Sequence, residues 1–282
     1  MILFKKAADL RNYLDAQRLK GVEIGFLPTM GGLHDGHISL VVASRNENLL
    51  TVCSIFVNPT QFNDAADLEK YPKTIEKDIL ELESNGCDLL FLPSVKEIYP
   101  AGTALNKKYE LGYLESILEG KYRPGHFQGV CQVVDLLLDI VRPNCLYLGQ
   151  KDYQQCMVIK KLLELTGRNE INLVICPTRR ETDGLAMSSR NLRLDPLARS
   201  KAPIIHQALL EIRDKLETKK IPELKQKANN KLSANGFKID YVEIADAENL
   251  QVVEDFHSGQ KLVALAAASI NDVRLIDNIR LN

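Results

Sequence analysis

The chain has 282 residues, 45% of them hydrophobic, which is enough for a buried core and for two domains of roughly 100–200 residues each. Lys and Arg total 36 against 37 Asp and Glu, a formal net charge of -1, so bulk charge recruits neither nucleic acid nor an anionic membrane. No apolar run approaches the roughly 18–20 residues of a membrane span, and MILFKKAADLRNYL puts its apolar residues before its lysines, the reverse of a secretory signal, so a cytoplasmic protein is expected.

In chain order, the first two thirds alternate between two patterns. Helical spacing of apolar residues marks AADLRNYLDAQRLK, HISLVVASRNENL, TIEKDILELESN, QGVCQVVDLLLDIV and DYQQCMVIKKLLELTG. Between them lie short apolar runs that end in Gly, Pro or Asn: GVEIGFLP, LLTVCSIFV, CDLLFLP, CLYLG and INLVICP. Continuous apolar strands between amphipathic helices predict an α/β fold, a Rossmann-like parallel sheet with helices on both faces. Such sheets bind ligands at the carboxyl ends of their strands, which directs attention to the loops after Pro28, Val57, Pro93, Leu148 and Cys176.

Near residue 185 the pattern changes. DPLARSKAPIIHQALLEIRDKLET and IPELKQKANNKLSANG predict helices, whereas FKIDYVEIAD, KLVALAAASI and DVRLIDNIRL predict strands with no helix between them. This predicts a smaller C-terminal α+β domain with a short antiparallel sheet, and a division into residues 1–184 and 185–282. The six cysteines form no C-x-x-C pair and sit mostly in or beside apolar runs, so buried free thiols are expected rather than a zinc site.

The first strand-to-helix loop reads FLPTMGGLHDGHISL. It has neither a P-loop nor G-x-G-x-x-G; two histidines flank Asp35-Gly36 and the second opens a helix. Gly36 permits close backbone approach, and a helix start offers N–H groups and a positive dipole end to phosphate. His34 and His37 add donors for charge that develops on phosphate oxygens. Asn58 and Gln61 follow the next strand, where amides orient a polar substrate, although Asn-Pro and Gln also serve as plain turn residues. In LYLGQKDYQQ, Gly149 allows close approach and Lys151 meets a phosphate. Ser188, Ser189 and Arg190 give three donors in a row, suited to pyrophosphate and equally to a helix cap. GKYRPGHFQGV holds Arg123 and His126 between glycines, a candidate mobile loop.

Taken in order and spacing, PTMGGLHDGH, SIFVNPTQF, YPKT, RPGHFQGV, GQKDYQQ, DGLAMSSRN and VRLIDN resemble the pantothenate synthetase (pantoate–β-alanine ligase) family over nearly the whole chain. H-x-G-H alone is shared with other nucleotidylyltransferases and class I aminoacyl-tRNA synthetases, and M-S-S-R resembles their second signature; the NPTQF and GQKDYQQ segments narrow the choice.

The resemblance implies a reaction that uses ATP and Mg²⁺. Pantoate's carboxylate attacks the α-phosphate to give pantoyl adenylate, and the amine of β-alanine then displaces AMP. It implies an ATP site lined by Met30, Gly31, Gly32, Leu33, His34, Asp35, Gly36 and His37 and by Gly149, Gln150, Lys151 and Asp152, with Met187, Ser188, Ser189 and Arg190 closing on the phosphates. His37, His34, Lys151 and Arg190 are the implied catalytic groups. Gln61 and Gln155 are implied to hold pantoate, with Pro28, Thr29, Met30, Asn58 and Arg123 beside them, and Asp78 to lie near magnesium. Arg179 stands where the family usually has a small apolar residue near the adenine. A homodimer is implied as well. Rival readings are a nucleotidylyltransferase that stops at the adenylate and a non-catalytic nucleotide sensor, which has no use for Gln61, Gln155 and the S-S-R loop together. A tRNA synthetase lacks support because no basic anticodon-binding extension is present.

Overall fold

The computed structural model describes residues 1–47, 49–62, 65–104 and 107–282. The chain forms two compact units, one comprising Met1–Gly149 and Val158–Pro177, the other Gln150–Met157 and Thr178–Asn282. The sequence reading puts the division after residue 184; the compact units part after 177, and Gln150–Met157 belongs with the second.

The first unit is built on six strands: β1 Ile2–Phe4, β2 Ile24–Thr29, β3 Leu50–Ile55, β4 Leu89–Phe91, β5 Cys145–Gly149 and β6 Asn172–Cys176. They lie in the order β1-β4-β3-β2-β5-β6, and every neighbouring pair is parallel. This is the predicted parallel sheet, flanked by helices. Its helices of eight residues or more are α1 Ala7–Arg18, α2 Asp35–Asn46, α3 Ile75–Ser84, α4 His126–Val141 and α5 Tyr153–Leu165, whose first turns fall in the second unit. Strand β1 is not among the strands predicted from the sequence. Leu27, Cys53, Leu40, Val41, Leu82, Leu90 and Tyr147 form one buried cluster around the central strands.

Strands β2 and β3 pair in register from Ile24↔Leu50 to Thr29↔Ile55. Their carboxyl ends therefore stop level, and the loops that follow them emerge side by side.

The second unit carries β7 Lys238–Asp246, β8 Leu262–Ile270 and β9 Val273–Arg280 in an antiparallel sheet of order β7-β8-β9. Helices α6 Ile204–Lys215 and α7 Ile221–Ala234 share its core through Leu209, Ile212, Leu224, Leu232, Ile244 and Leu275. The helix expected over 195–218 is split into Pro196–Lys201 and α6 by Pro203, which has no N–H to continue the ladder. Among the described residues no helix is long and apolar enough to cross a membrane. All six cysteines are free, five of them buried and Cys145 partly so.

Candidate active site

The loop after β2 is held from below. Thr29 Oγ1 donates to the Ser54 carbonyl at 2.8 Å and accepts the Gly31 N–H at 3.3 Å. Gly31 then takes φ 79° and Gly32 φ 63°, a turn that points two successive N–H groups down at α3. There the Asp78 carboxylate, fully buried, accepts Gly32 N at 3.0 Å, Leu33 N at 2.9 Å and Thr74 Oγ1 at 3.0 Å. A buried carboxylate needs such donors to offset its desolvation. A side chain at Gly31 would set its Cβ 3.0 Å from Asp78 Oδ2 and 3.1 Å from Ile55 Cγ2, so the glycine makes room for the anchor.

Helix α2 starts two residues before the predicted point, with His34 as its N-cap. His34 Nδ1 accepts Gly36 N at 3.1 Å, and His37 Nδ1 accepts His34 N at 3.4 Å, a capping box made of two imidazoles. The ring centroids are 4.1 Å apart. Because backbone N–H groups are the donors, each Nδ1 presents its lone pair, and the ring proton sits on Nε2. The fold thereby fixes one tautomer for both rings.

Strand β3 runs into the turn Asn58-Pro59-Thr60-Gln61. Asn58 is buried, and its carboxamide is engaged throughout: Oδ1 accepts Tyr99 OH at 2.8 Å and Thr60 Oγ1 at 3.0 Å, while Nδ2 donates to Gln61 Oε1 and to the Gly129 carbonyl, each at 3.1 Å. Gln61 Nε2 points at Met30 Sδ, 3.2 Å away. The Gln61 carboxamide thus bridges the loops after β2 and β3, whose level ends bring them together. A Cβ at Gly129 would lie 2.3 Å from the Thr60 carbonyl oxygen, so only glycine lets α4 come this close to the turn.

Arg123 and His126 complete the cluster. His126 Nδ1 meets the Gln61 carbonyl at 2.8 Å, with Arg123 Nη2 at 3.4 Å from the same oxygen. The loop expected around them is a short turn between the helix Leu118–Tyr122 and α4, which begins at His126 itself. Sequence reasoning gives no role to Tyr99 and Gly129, because their contacts with Asn58 are distant in sequence and leave no local pattern.

Within the second unit, Gln150-Lys151-Asp152 forms a single 3-10 turn, with Lys151 Nζ 3.8 Å from Asp152 Oδ1. Gln155 lies partly buried on the first turn of α5. Arg179 is exposed, and its carbonyl accepts Met187 N at 3.0 Å. Ser188 caps the turn Ser189–Arg193 by accepting Arg190 N at 3.3 Å, which realises the capping use of these donors.

Among the described residues, no three His, Cys, Asp or Glu side chains gather as a metal cage. Asp78, implied to stand near magnesium, is enclosed and already holds three donors. These residues do not fit a magnesium ion resident on the protein.

The chain matches the family model described as pantoate-beta-alanine ligase over residues 2–280. It is 43% identical to the pantothenate synthetase of Azobacteroides pseudotrichonymphae over 281 residues, 99% of each chain. The crystal structure of pantothenate synthetase from Thermus thermophilus superposes with a TM-score of 0.91 at 39% identity, covering 100% of this chain and 99% of that one. The pantoate-beta-alanine ligase of Francisella tularensis, solved with beta-gamma ATP and beta-alanine, superposes with a TM-score of 0.83 at 38% identity, covering 100% and 98%.

Proposed function

The chain belongs to the pantoate–β-alanine ligase family and condenses pantoate with β-alanine at the expense of ATP; we propose that the chemistry is carried by the residues gathered at the ends of β2 and β3, with Lys151 and Met187–Arg190 serving the nucleotide. The observation that carries the reading is the pair of capped imidazoles at the start of α2, beside the bridged Gln61 carboxamide.

The first step joins pantoate's carboxylate to the α-phosphorus and expels diphosphate. A carboxylate is already a nucleophile and needs no base. Gln61 and Gln155 orient it without neutralising the charge that must attack, as a paired Arg would. Negative charge grows on the α-phosphate oxygens, and the Nε2–H groups of His34 and His37 donate to them, aided by the N-terminal amides of α2. Lys151 and Arg190 take charge on the departing diphosphate. In the second step the amine of β-alanine attacks the acyl carbon and AMP leaves. Met187–Arg190 shield the acyl adenylate from water.

Asn58 acts on substrate through Gln61, and Asp78 acts on ATP through the loop backbone. Magnesium would arrive bound to ATP, held by phosphate oxygens and water. A homodimer is the proposed assembly, supported by the edge strand β1 with Ile2 and Leu3 exposed; light scattering tests it. Cytoplasmic residence is proposed on the six free thiols.

The test is AMP release assayed with each substrate alone and with both. AMP that depends on pantoate and β-alanine together is expected. Diphosphate release with pantoate alone, and no AMP when β-alanine is added, would instead mark an enzyme that stops at the adenylate.

A further inference from the structure

Strand β9 carries Asp277 and Asn278, buried polar neighbours with no part in the proposed reaction. Successive strand residues face opposite ways. Here the two side chains hold two different segments of the second unit. Asn278 Nδ2 donates to the Gln150 carbonyl at 3.0 Å and to the Lys151 carbonyl at 2.8 Å, and Oδ1 accepts Gln150 Nε2 at 3.2 Å. Two adjacent carbonyls demand a two-proton donor, so the carboxamide orientation is fixed and neither Asp nor Leu can replace it.

Asp277 grips Arg180 with both oxygens, at 2.7 and 2.9 Å. The same guanidinium donates to the carbonyls of Gly184 at 3.0 Å and Asn278 at 3.2 Å. Arg180 lies in a small hairpin: it bridges to Ala186, Glu181 N reaches the Leu185 carbonyl at 2.8 Å, and Met187 N reaches the Arg179 carbonyl at 3.0 Å. That hairpin delivers the chain to Ser188, the cap of the turn that carries Ser189 and Arg190.

We propose that Asp277 and Asn278 are positioning residues for ATP: Asn278 fixes the backbone that carries Lys151, and Asp277, through Arg180, fixes the hairpin that presents Met187–Arg190. The inference rests on the assignment of those two segments to the nucleotide. A merely structural pair would explain the burial, but not why one side chain ends on the turn that carries Lys151 and the other on Arg180, in the hairpin that leads into Met187–Arg190. The sequence hints at it only through the VRLIDN segment.

The experiment is a double-mutant cycle in the full-length protein, read as the dissociation constant for Mg-ATP by titration calorimetry, with turnover measured in parallel. Asn278→Ala is expected to weaken ATP binding about tenfold in the wild-type background and less than about twofold in Lys151→Ala, because the contact acts through that lysine. The KM for pantoate should change less than about twofold. Equal losses in both backgrounds, or no loss in either, overturn the proposal. If Asn278→Ala does not fold, Arg180→Lys, which keeps the charge and loses the fork, is paired with Arg190→Ala under the same criteria. Failure of the wild type to form AMP from both substrates overturns the functional reading and this inference with it; an active wild type with an additive cycle overturns this inference alone.

Discussion

His34 and His37 cap one another's turn: His34 Nδ1 accepts the Gly36 N–H at 3.1 Å, and His37 Nδ1 accepts the His34 N–H at 3.4 Å. Capping and the proposed catalysis therefore use opposite nitrogens of the same rings and can be separated. Asparagine keeps an N-cap acceptor but has no Nε2–H to offer. His34→Asn should preserve stability within about 0.5 kcal/mol while lowering kcat, whereas His34→Ala should lose both, with about 1 kcal/mol from the cap. His37→Ala should lower kcat by on the order of 10²–10³ with a much smaller change in ATP affinity, since its donor strengthens in the transition state. Thermal melts and steady-state kinetics check both; equal kcat in mutant and wild type contradicts the role.

Asp78 is the loop's anchor, which separates two roles that sequence reasoning joins. In Asp78→Asn one carboxylate oxygen becomes an amide donor, and it then faces Gly32 N, Leu33 N or Thr74 Oγ1, donors already in place. A loss of about 1–3 kcal/mol in stability is expected. The magnesium concentration for half-maximal rate should stay as in the wild type if, as proposed, the ion comes with ATP. A large rise in that concentration, with stability unchanged, would assign Asp78 to the metal instead.

Asn58→Ala removes the donor that holds Gln61 Oε1 and leaves Tyr99 OH without its 2.8 Å acceptor. The Gln61 carboxamide is then free to turn, so the KM for pantoate should rise about tenfold while that for ATP moves less than about twofold. Initial rates over a grid of both substrates distinguish this from a uniform loss. Similar increases for the two substrates would mean that Asn58 supports the unit in general rather than Gln61.

The sheet is legible because its strands are continuous apolar runs, and the loop after β2 because Gly, His and Asp crowd where a parallel sheet binds ligands. The supports of that loop are not legible. Asp78 lies 46 residues from Gly32, and Asn58 meets Gly129 across 71 residues, so no local period announces either contact. Position 58 reads as a substrate group because an exposed amide and a buried keystone look alike in sequence; only the Tyr99 and Gly129 partners tell them apart. Arg179 draws notice for departing from the family, while Arg180, its neighbour, makes the fork to Asp277. That Gln150–Met157 belongs to the second unit escapes sequence reading for a related reason: Tyr153 OH donates to the Ala247 carbonyl at 2.7 Å and Asn278 holds Gln150, contacts that tie the segment to partners roughly a hundred residues later.

Away from this site, Asp135 on α4 gathers three donors within the first unit. Its oxygens accept Tyr109 OH at 2.6 Å, Arg168 Nη1 at 2.6 Å and Lys107 Nζ at 3.2 Å. Burial by itself would raise this carboxyl, but the donors from Tyr109, Arg168 and Lys107 outweigh it and hold Asp135 below the usual carboxylate range. A depressed folded-state value contributes stability that is fully present above the unfolded-chain pKa of about 3.9 and is lost as pH falls through the folded value. Asp135→Asn should therefore destabilise by about 2 kcal/mol at neutral pH, since it strips a charge partner from Arg168. The gap between mutant and wild type should hold constant down to about pH 5 and narrow below about pH 4, where the Asp135 carboxyl of the unfolded chain takes up a proton before that of the folded chain. Urea unfolding followed by far-ultraviolet circular dichroism at several pH values measures that gap; a difference that stays the same to about pH 3 would show that packing, not the charge on Asp135, supplies the stability.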